Sequence, residues 1–364
     1  MKKTLTALTV SFVAFLCLST SQAKIVEESF YIQSSDQHIF ELLKSRPELT
    51  IDHIEKGGFE LYGPKGLKQF LVTNNIPHFS MKIAAGAQKA KGQYPTPEEI
   101  EKELKGVVSK YPEIARMFSI GKSIKNRDLW VIKLSSNVNV NDERPEFKYI
   151  ANMHGDEIVG REMMVRLVKD LAMNYGKDPQ ITNLLDRVQI YIMPSMNPDG
   201  AAASTRGNAK YVDLNRDFPD FSTSDNKDTT EGRQPETKAV MDWQKTRNFV
   251  LSANFHGGAE VVNYPWDTKA DKFPQEAFIK ELCLEYAGLT PYISTSTAFQ
   301  NGITNGYAWY EVNGGMQDWS IYYRKDMQIT IEVSNNKWPE YSRVDYYYQQ
   351  NKAALLRFIE RAIP

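Results

Sequence analysis

The 364-residue chain carries five histidines, and only His154 and His256 lie beyond residue 94. Each stands directly after an apolar, β-rich run, Phe147 to Met153 for the first and Phe249 to Phe255 for the second. Imidazole is the commonest metal-binding side chain, and a catalytic zinc usually takes three protein ligands and leaves one position for water. Two histidines therefore need a third donor. Glu157, three residues after His154, can point at the same ion from a short turn or helix start, and Cys283 is the other choice. His38, His53 and His78 lie near the N-terminus and read as ordinary polar or capping residues.

A lone His-x-x-Glu is a weak signal, and its value comes from its company. Ser195-Met196-Asn197-Pro198-Asp199-Gly200 follows another strand-like run, and Arg206 precedes Asp213-Leu214-Asn215-Arg216. Further on come Tyr310, the stretch Gly314-Gly315-Met316-Gln317-Asp318, and Glu332 between Ile331 and Val333. Together with His154-Gly155-Asp156-Glu157 and His256-Gly257-Gly258, these stretches resemble the funnelin-type zinc carboxypeptidases, in particular the carboxypeptidase N/E group. The resemblance runs from about Tyr94 to Trp338, with five matches in the right order.

The resemblance implies one Zn2+ per chain on His154, Glu157 and His256, with peptide or protein C-termini as substrate. It implies Glu332 as general base, and with both later histidines on the metal a carboxylate suits that task. Read by itself, Glu332 is also what an alternating strand would turn to solvent. Arg206 would steady the carbonyl oxygen, Asn215 and Arg216 would grip the terminal carboxylate, and Tyr310 would close over the bound residue. Asp267, with Gln317 beside it, would read a basic C-terminal side chain. By its sequence context alone, Asp267 is equally a turn residue after Trp266.

Stepwise runs of strand and helix must position these groups. Phe147 to Met153, Val188 to Met193, Phe249 to Phe255 and Gln328 to Val333 read as strands. Glu157 to Tyr175 has helical apolar spacing, and Ala353 to Ala362 reads as one closing helix. The alternation predicts an α/β sheet with helices on its faces, and the resemblance implies a mixed central sheet with helices on both faces. Residues 24–83 read as a small α+β module, with strand-like Phe30 to Ile32 and Phe59 to Gly63 and helix-like Ile39 to Leu43 and Lys65 to Asn74. A small, polar linker follows over residues 84–93, and Thr96-Pro97-Glu98-Glu99 opens a catalytic domain expected over 94–364.

Residues 1–23 read as a signal peptide, with Lys2 and Lys3 before an apolar stretch and Ser21-Gln22-Ala23 at its end. The chain is therefore expected to be exported to the periplasm or outside the cell. Cys17 suggests a lipoprotein signal, but Phe15 and Leu16 stand where small residues are wanted. After removal only Cys283 remains, so no internal disulfide can form and the fold rests on its core. The net charge of −1 is spread without a basic stripe, which argues against nucleic acid, and no later run is apolar enough to span a bilayer.

Two departures from the N/E pattern stand out. Only 32 residues follow Glu332, too few for the transthyretin-like domain of that group. The N-terminal module sits where the pancreatic-type branch carries an inhibitory propeptide, with release expected near Lys89 or Lys91. Asp156 and Asp217 are smaller changes. An amidase acting on peptidoglycan stem peptides and an inactive binding protein on the same scaffold are the alternatives; the second usually lacks a ligand or the base, and here all are present.

Overall fold

The computed structural model describes residues 24–81, 93–140 and 142–364. The expected signal peptide, nearly all of the linker and both expected cleavage sites lie outside the described residues.

The module is a four-stranded antiparallel sheet of β1 (Glu28–Ile32), β2 (Thr50–Glu55), β3 (Gly58–Gly63) and β4 (His78–Ser80), in the order β2-β3-β1-β4. Helices Gln37–Lys44 and Leu67–Thr73 bury Leu43, Leu67 and Leu71 against Phe30, Ile32 and Leu61 of the sheet. Asp36 caps the first helix by accepting from the His38 amide. Gly57, at φ 124°, makes the tight turn between β2 and β3.

The larger domain is built on β5 (Ala115–Lys122), β6 (Asp128–Leu134), β7 (Glu146–Ala151), β8 (Gln189–Met193), β9 (Phe249–His256), β10 (Glu260–Tyr264), β11 (Ile303–Asn305) and β12 (Met327–Val333). Their order is β11-β10-β12-β9-β7-β8-β6-β5. The central run β12, β9, β7, β8 is parallel, and β10 and β6 join it antiparallel. This is the mixed sheet expected. Alternating strand residues face opposite layers. Phe147, Tyr149 and Ala151 pack with helices Val159–Asn174, Pro179–Arg187, Glu276–Gly288 and Val344–Glu360. Ile150, Tyr191 and Met193 pack on the other face with helices Pro235–Lys245 and Met316–Arg324.

Thr96 and Glu99 form a capping box on helix Pro97–Lys110, as the Thr-Pro-Glu-Glu pattern predicts. The closing helix begins at Val344, nine residues before the expected start. Its first turns are rich in tyrosine, a mediocre helix former, and are held by burying Tyr347, Tyr348 and Asn351. The connection from β7 leads to β8 on one side, and the next, from β8, crosses back to β9 on the other side of β7. Such a reversal opens a crevice at the carboxyl ends of the strands, where open α/β sheets bind ligands.

Candidate active site

His154 and His256 meet in that crevice. His256 is the last residue of β9, and His154 lies three residues beyond β7. The turn between β7 and His154 depends on Asn152, buried with φ 56°. Its amide donates to the carbonyls of His154 at 2.9 Å and Glu157 at 3.1 Å, so one side chain shapes the whole His-x-x-Glu loop. Asn tolerates this left-handed conformation better than most residues. Gly155 is required for a different reason: a Cβ there would meet the backbone of Gly200 at 2.1 Å. Asn197 locks the same contact, accepting from the Gly200 amide at 2.9 Å and donating to the Met153 carbonyl at 3.1 Å. The Asn-Pro-Asp-Gly stretch thus supports the loop from behind.

The ligand atoms of His154, Glu157 and His256 all lie within 4.8 Å of one another. The two Nδ1 atoms are 3.1 Å apart, and Glu157 places Oε1 3.1 Å from His154 Nδ1 and Oε2 2.9 Å from His256 Nδ1. Two ring nitrogens and a carboxylate facing one point form the donor set of a zinc site, and the three residues fit that ion. His154 Nε2 lies 3.0 Å from Asp213 Oδ1, which places its proton there and turns the Nδ1 lone pair inward. Burial and Arg206 lower the proton affinity of His154, but Glu157 and Asp213 outweigh them and lift its pKa to about 9. Burial would raise the pKa of Asp213, yet Arg206 and His154 hold it well below the usual range. Cys283 is no ligand: it is buried in helix Glu276–Gly288 within the apolar core.

Glu332, in register beside His256 on β12, is buried rather than turned to solvent. Its Oε2 has no hydrogen-bond partner among the described residues. Arg206 donates from Nε to Asp213 at 2.9 Å, and its Nη1 lies 3.5 Å from Glu157 Oε1. Arg216 donates one Nη1 hydrogen to the Asn215 carbonyl, while its buried Nη2 has no partner among the described residues. The Asn215 side-chain oxygen accepts from the Met316 amide at 3.0 Å, so its amide nitrogen is the end left to donate.

Asp267 lies buried in the bend that follows Trp266. Its Oδ1 accepts from Gln317 Nε2 at 2.9 Å and Asn263 Nδ2 at 3.2 Å. Gly306 must lack a side chain here, because a Cβ would sit 1.7 Å from that oxygen. Burial pushes the Asp267 pKa up to about 7, against the pull of the Asn263 amide and Arg216. Asp318 accepts from the amides of Asp267 and Thr268, both at 2.9 Å, and so fixes the loop.

The N-terminal module reaches into the same crevice through its β2–β3 hairpin. Asp52 pairs with Arg206, and His53 points Nε2 at Glu332 Oε1 from 3.8 Å. Glu60 takes a hydrogen bond from Lys337 Nζ at 2.7 Å. His53 is therefore a buried residue of the site and not the ordinary polar residue its context suggested. Burial opposes the charge of His53, but Asp52 and Glu60 raise its pKa well above the usual value. Burial would raise the pKa of both carboxylates, yet Arg206 holds Asp52, and Lys337 holds Glu60, far below the carboxylate range. Burial, Asp52 and Glu332 together raise the pKa of Tyr310. The ligand atoms of Asp52, His53 and Glu60 also fall within 4.8 Å of one another. Arg206 and Lys337 already neutralise those carboxylates, so cationic side chains take the place a metal would fill.

Sequence reasoning passed over Asp213 as a support for His154, although the residue opens the Asp-Leu-Asn-Arg stretch. It also missed Lys337, five residues past Glu332, and the Asp52-His53 pair on β2.

A family model described as zinc carboxypeptidase matches residues 100–354. Carboxypeptidase SOL1 of Arabidopsis thaliana is 40% identical over 314 residues, covering 85% of this chain and 62% of that protein. Carboxypeptidase M of Mus musculus is 40% identical over 294 residues, covering 74% of this chain and 66% of its own. Carboxypeptidase D of Anas platyrhynchos is 41% identical over 288 residues, but the chain spans only 20% of its length. Among solved structures, thrombin activatable fibrinolysis inhibitor superposes with TM-score 0.71 at 18% identity, covering 93% of this chain and 99% of that one. Carboxypeptidase A from Helicoverpa armigera gives 0.74 at 15% identity, covering 93% and 98%. These two likenesses speak to the fold, and they extend over the module as well as the larger domain. By the family match and by its relatives, this chain belongs to the zinc carboxypeptidase family.

Proposed function

We propose that this protein is an exported carboxypeptidase that removes a C-terminal lysine or arginine, and that its N-terminal module blocks the site until it is released. The observation that carries the specificity is the buried Asp267 carboxyl, braced by Gln317 and Asn263 in a pocket it shares electrostatically with Arg216. A carboxylate without a cation is costly to bury, so a basic side chain satisfies this pocket and an apolar one leaves the charge unpaired. Export rests on the apolar, small-residue pattern of residues 1–23. Among the described residues no helix is long and apolar enough to cross a membrane.

His154, Glu157 and His256 would hold the zinc ion. Bound there, zinc supplies Lewis-acid polarisation of the scissile carbonyl and an acidic water. Glu332 takes the proton from the attacking water and returns it to the leaving amine. Arg206 donates to the carbonyl oxygen as charge builds on it. The free Nη2 of Arg216 and the Asn215 amide hold the terminal carboxylate, Tyr310 closes over the last residue, and Asp267 with Gln317 reads its side chain. The block consists of three module residues set against three catalytic-domain groups: Asp52 on Arg206, His53 at Glu332, and Glu60 on Lys337.

The test is kcat/KM for matched peptides ending in Arg, Lys, Phe and Glu, before and after Asp267→Ala. Arg and Lys are expected to lead by about 100-fold, and the substitution should remove most of that lead. A wild-type preference for Phe, or an unchanged ranking in the variant, rejects Asp267 as the specificity residue.

A further inference from the structure

Lys337 has no role in the reaction described above, yet it stands at the metal site. It lies on the segment leaving β12, and its Nζ is 3.5 Å from Glu157 Oε1. Arg206 Nη1 is also 3.5 Å from that oxygen. Two cations of the catalytic domain thus flank one ligand atom, and each reaches past it to a module carboxylate. The Tyr62 ring lies against both, 4.6 Å from Arg206 and 5.4 Å from Lys337.

The two cations differ in what the catalytic domain gives them. Arg206 has Asp213 at hydrogen-bond distance. Both hydrogen-bond partners of Lys337 Nζ, Glu60 Oε2 at 2.7 Å and Tyr62 Oη at 2.9 Å, belong to the module. An ammonium has three hydrogens to donate, and a contact of 3.5 Å to Glu157 is too long to satisfy one well. When the module leaves, Lys337 loses both of these acceptors and is open to another anion.

Its position says where that anion comes from. A cavity of about 320 Å³ between module and larger domain is lined by Arg216 and Tyr310 together with module residues such as Ile54. A cleft of about 910 Å³, which shares Ile54 and Trp309 with the first, is lined by His53 and Glu60 of the module and by Gly258 and Asn335. Gly258 and Asn335 of that lining lie two residues from His256 and Lys337, so loss of the module opens this face beside the metal to the residues before the scissile bond of a substrate whose last residue is held by Arg216 and Asp267.

We infer that Lys337 binds an acidic side chain of the substrate, carried by one of the two residues before the scissile bond, and that Glu60 holds this place in the intact chain. The inference rests on the proposed function. It makes the enzyme a reader of two charges, a cation at the C-terminus and an anion just upstream. Its substrates are peptides ending in an acidic residue followed closely by lysine or arginine.

The experiment uses the zinc-loaded full chain, nicked at Lys89 or Lys91 and diluted until the module dissociates. Peptides ending in Arg carry Glu or Gln at the first or second position before the scissile bond. The wild type is expected to favour Glu over Gln at one of these positions by about tenfold, mainly through KM. Lys337→Gln should bring that ratio to about one while Gln peptides are cut within a few-fold of wild type. Lys337→Arg should keep the preference. Equal rates for Glu and Gln peptides in the wild type overturn the inference without any variant. So does an equal loss on all peptides in Lys337→Gln with reduced zinc content, which would make Lys337 only a brace for Glu157. Cleavage of matched peptides ending in Phe, with none of those ending in Arg, instead removes the proposed C-terminal specificity and this inference with it.

Discussion

The two flanks of the metal centre are satisfied in different ways. On the terminal-residue side, Asp267 draws its hydrogen bonds from Gln317 and Asn263, both in the catalytic domain. On the other side, Arg206 and Lys337 complete their pairing with Asp52 and Glu60, which belong to the module. The first flank is a finished pocket whatever the module does. The second is a set of charges whose partner changes. On the proposed reading, selectivity for the final residue belongs to the larger domain alone, whereas access to the metal depends on what sits on Arg206 and Lys337.

The largest expected effect belongs to the group between the flanks. In chain freed of its module, Glu332→Gln should keep its metal and lose about 10³-fold in kcat, the scale of general base catalysis. Metal analysis beside single-turnover rates checks both halves, and near-wild-type turnover would take the base role from Glu332.

The next effect tests the exchangeable flank. The intact chain should be nearly inactive, and Asp52→Ala with Glu60→Ala should raise its activity by about 100-fold without any cut. Each change removes one partner of a buried pair and so weakens the seat of the module. The pH sign follows from the shifts. Asp52 and Glu60 have depressed pKa values, so their contribution is present above the usual carboxylate range and is lost only as pH falls through the lower, seated values. His53 has a raised value, so its contribution is complete below the usual imidazole pKa and fades as pH rises through the higher one. Latency should therefore hold from about pH 5 to pH 7. An intact chain as active as the nicked one, with no inhibition when module is added back, would show that the two flanks do not differ.

The smallest effect sharpens the finished flank. Burial raises the Asp267 pKa to about 7, so its carboxyl is expected to be protonated in acid and charged in base. The ratio of kcat/KM for Arg over Phe substrates should climb about tenfold between pH 6 and pH 8, and Asp267→Asn should flatten it. The raised value also means that Asp267 supports the empty fold fully below its ordinary pKa of 3.8 and progressively less as pH rises through about 7. A flat ratio in the wild type would place the charge-reading group elsewhere.

What could be read from the sequence tracks how local the signal is. The strands β7, β8, β9 and β12 are almost wholly buried, so each is a run rich in apolar and β-branched or aromatic residues that ends at or near a motif residue. The edge strand β5 alternates irregularly between half-buried and exposed residues and gave no such signal. The His-x-x-Glu spacing was legible because it reflects one loop, whereas His256 joins it only through the pairing of β7 with β9. Asp52, His53, Glu60 and Lys337 escaped notice because their meaning lies in pairings across 277 residues for Glu60 and Lys337, which no local pattern encodes. The closing helix was read short because burial, rather than propensity, sets its start.

The first described residues add a second point of attachment. Ile25 forms a β-bridge with Val212, Val26 donates to the Tyr211 carbonyl at 2.8 Å, and Asp213 donates its amide to the Lys24 carbonyl at 2.9 Å. The module is therefore moored twice, by its hairpin at the metal and by its leading residues on the loop that carries Asp213. Two tethers on one body raise each other's effective concentration, so one that slips is recaptured before the other lets go. On the proposed release of the module, a cut between the domains would start a clock rather than throw a switch: activity is expected to emerge with a lag set by the rate at which both moorings are lost together.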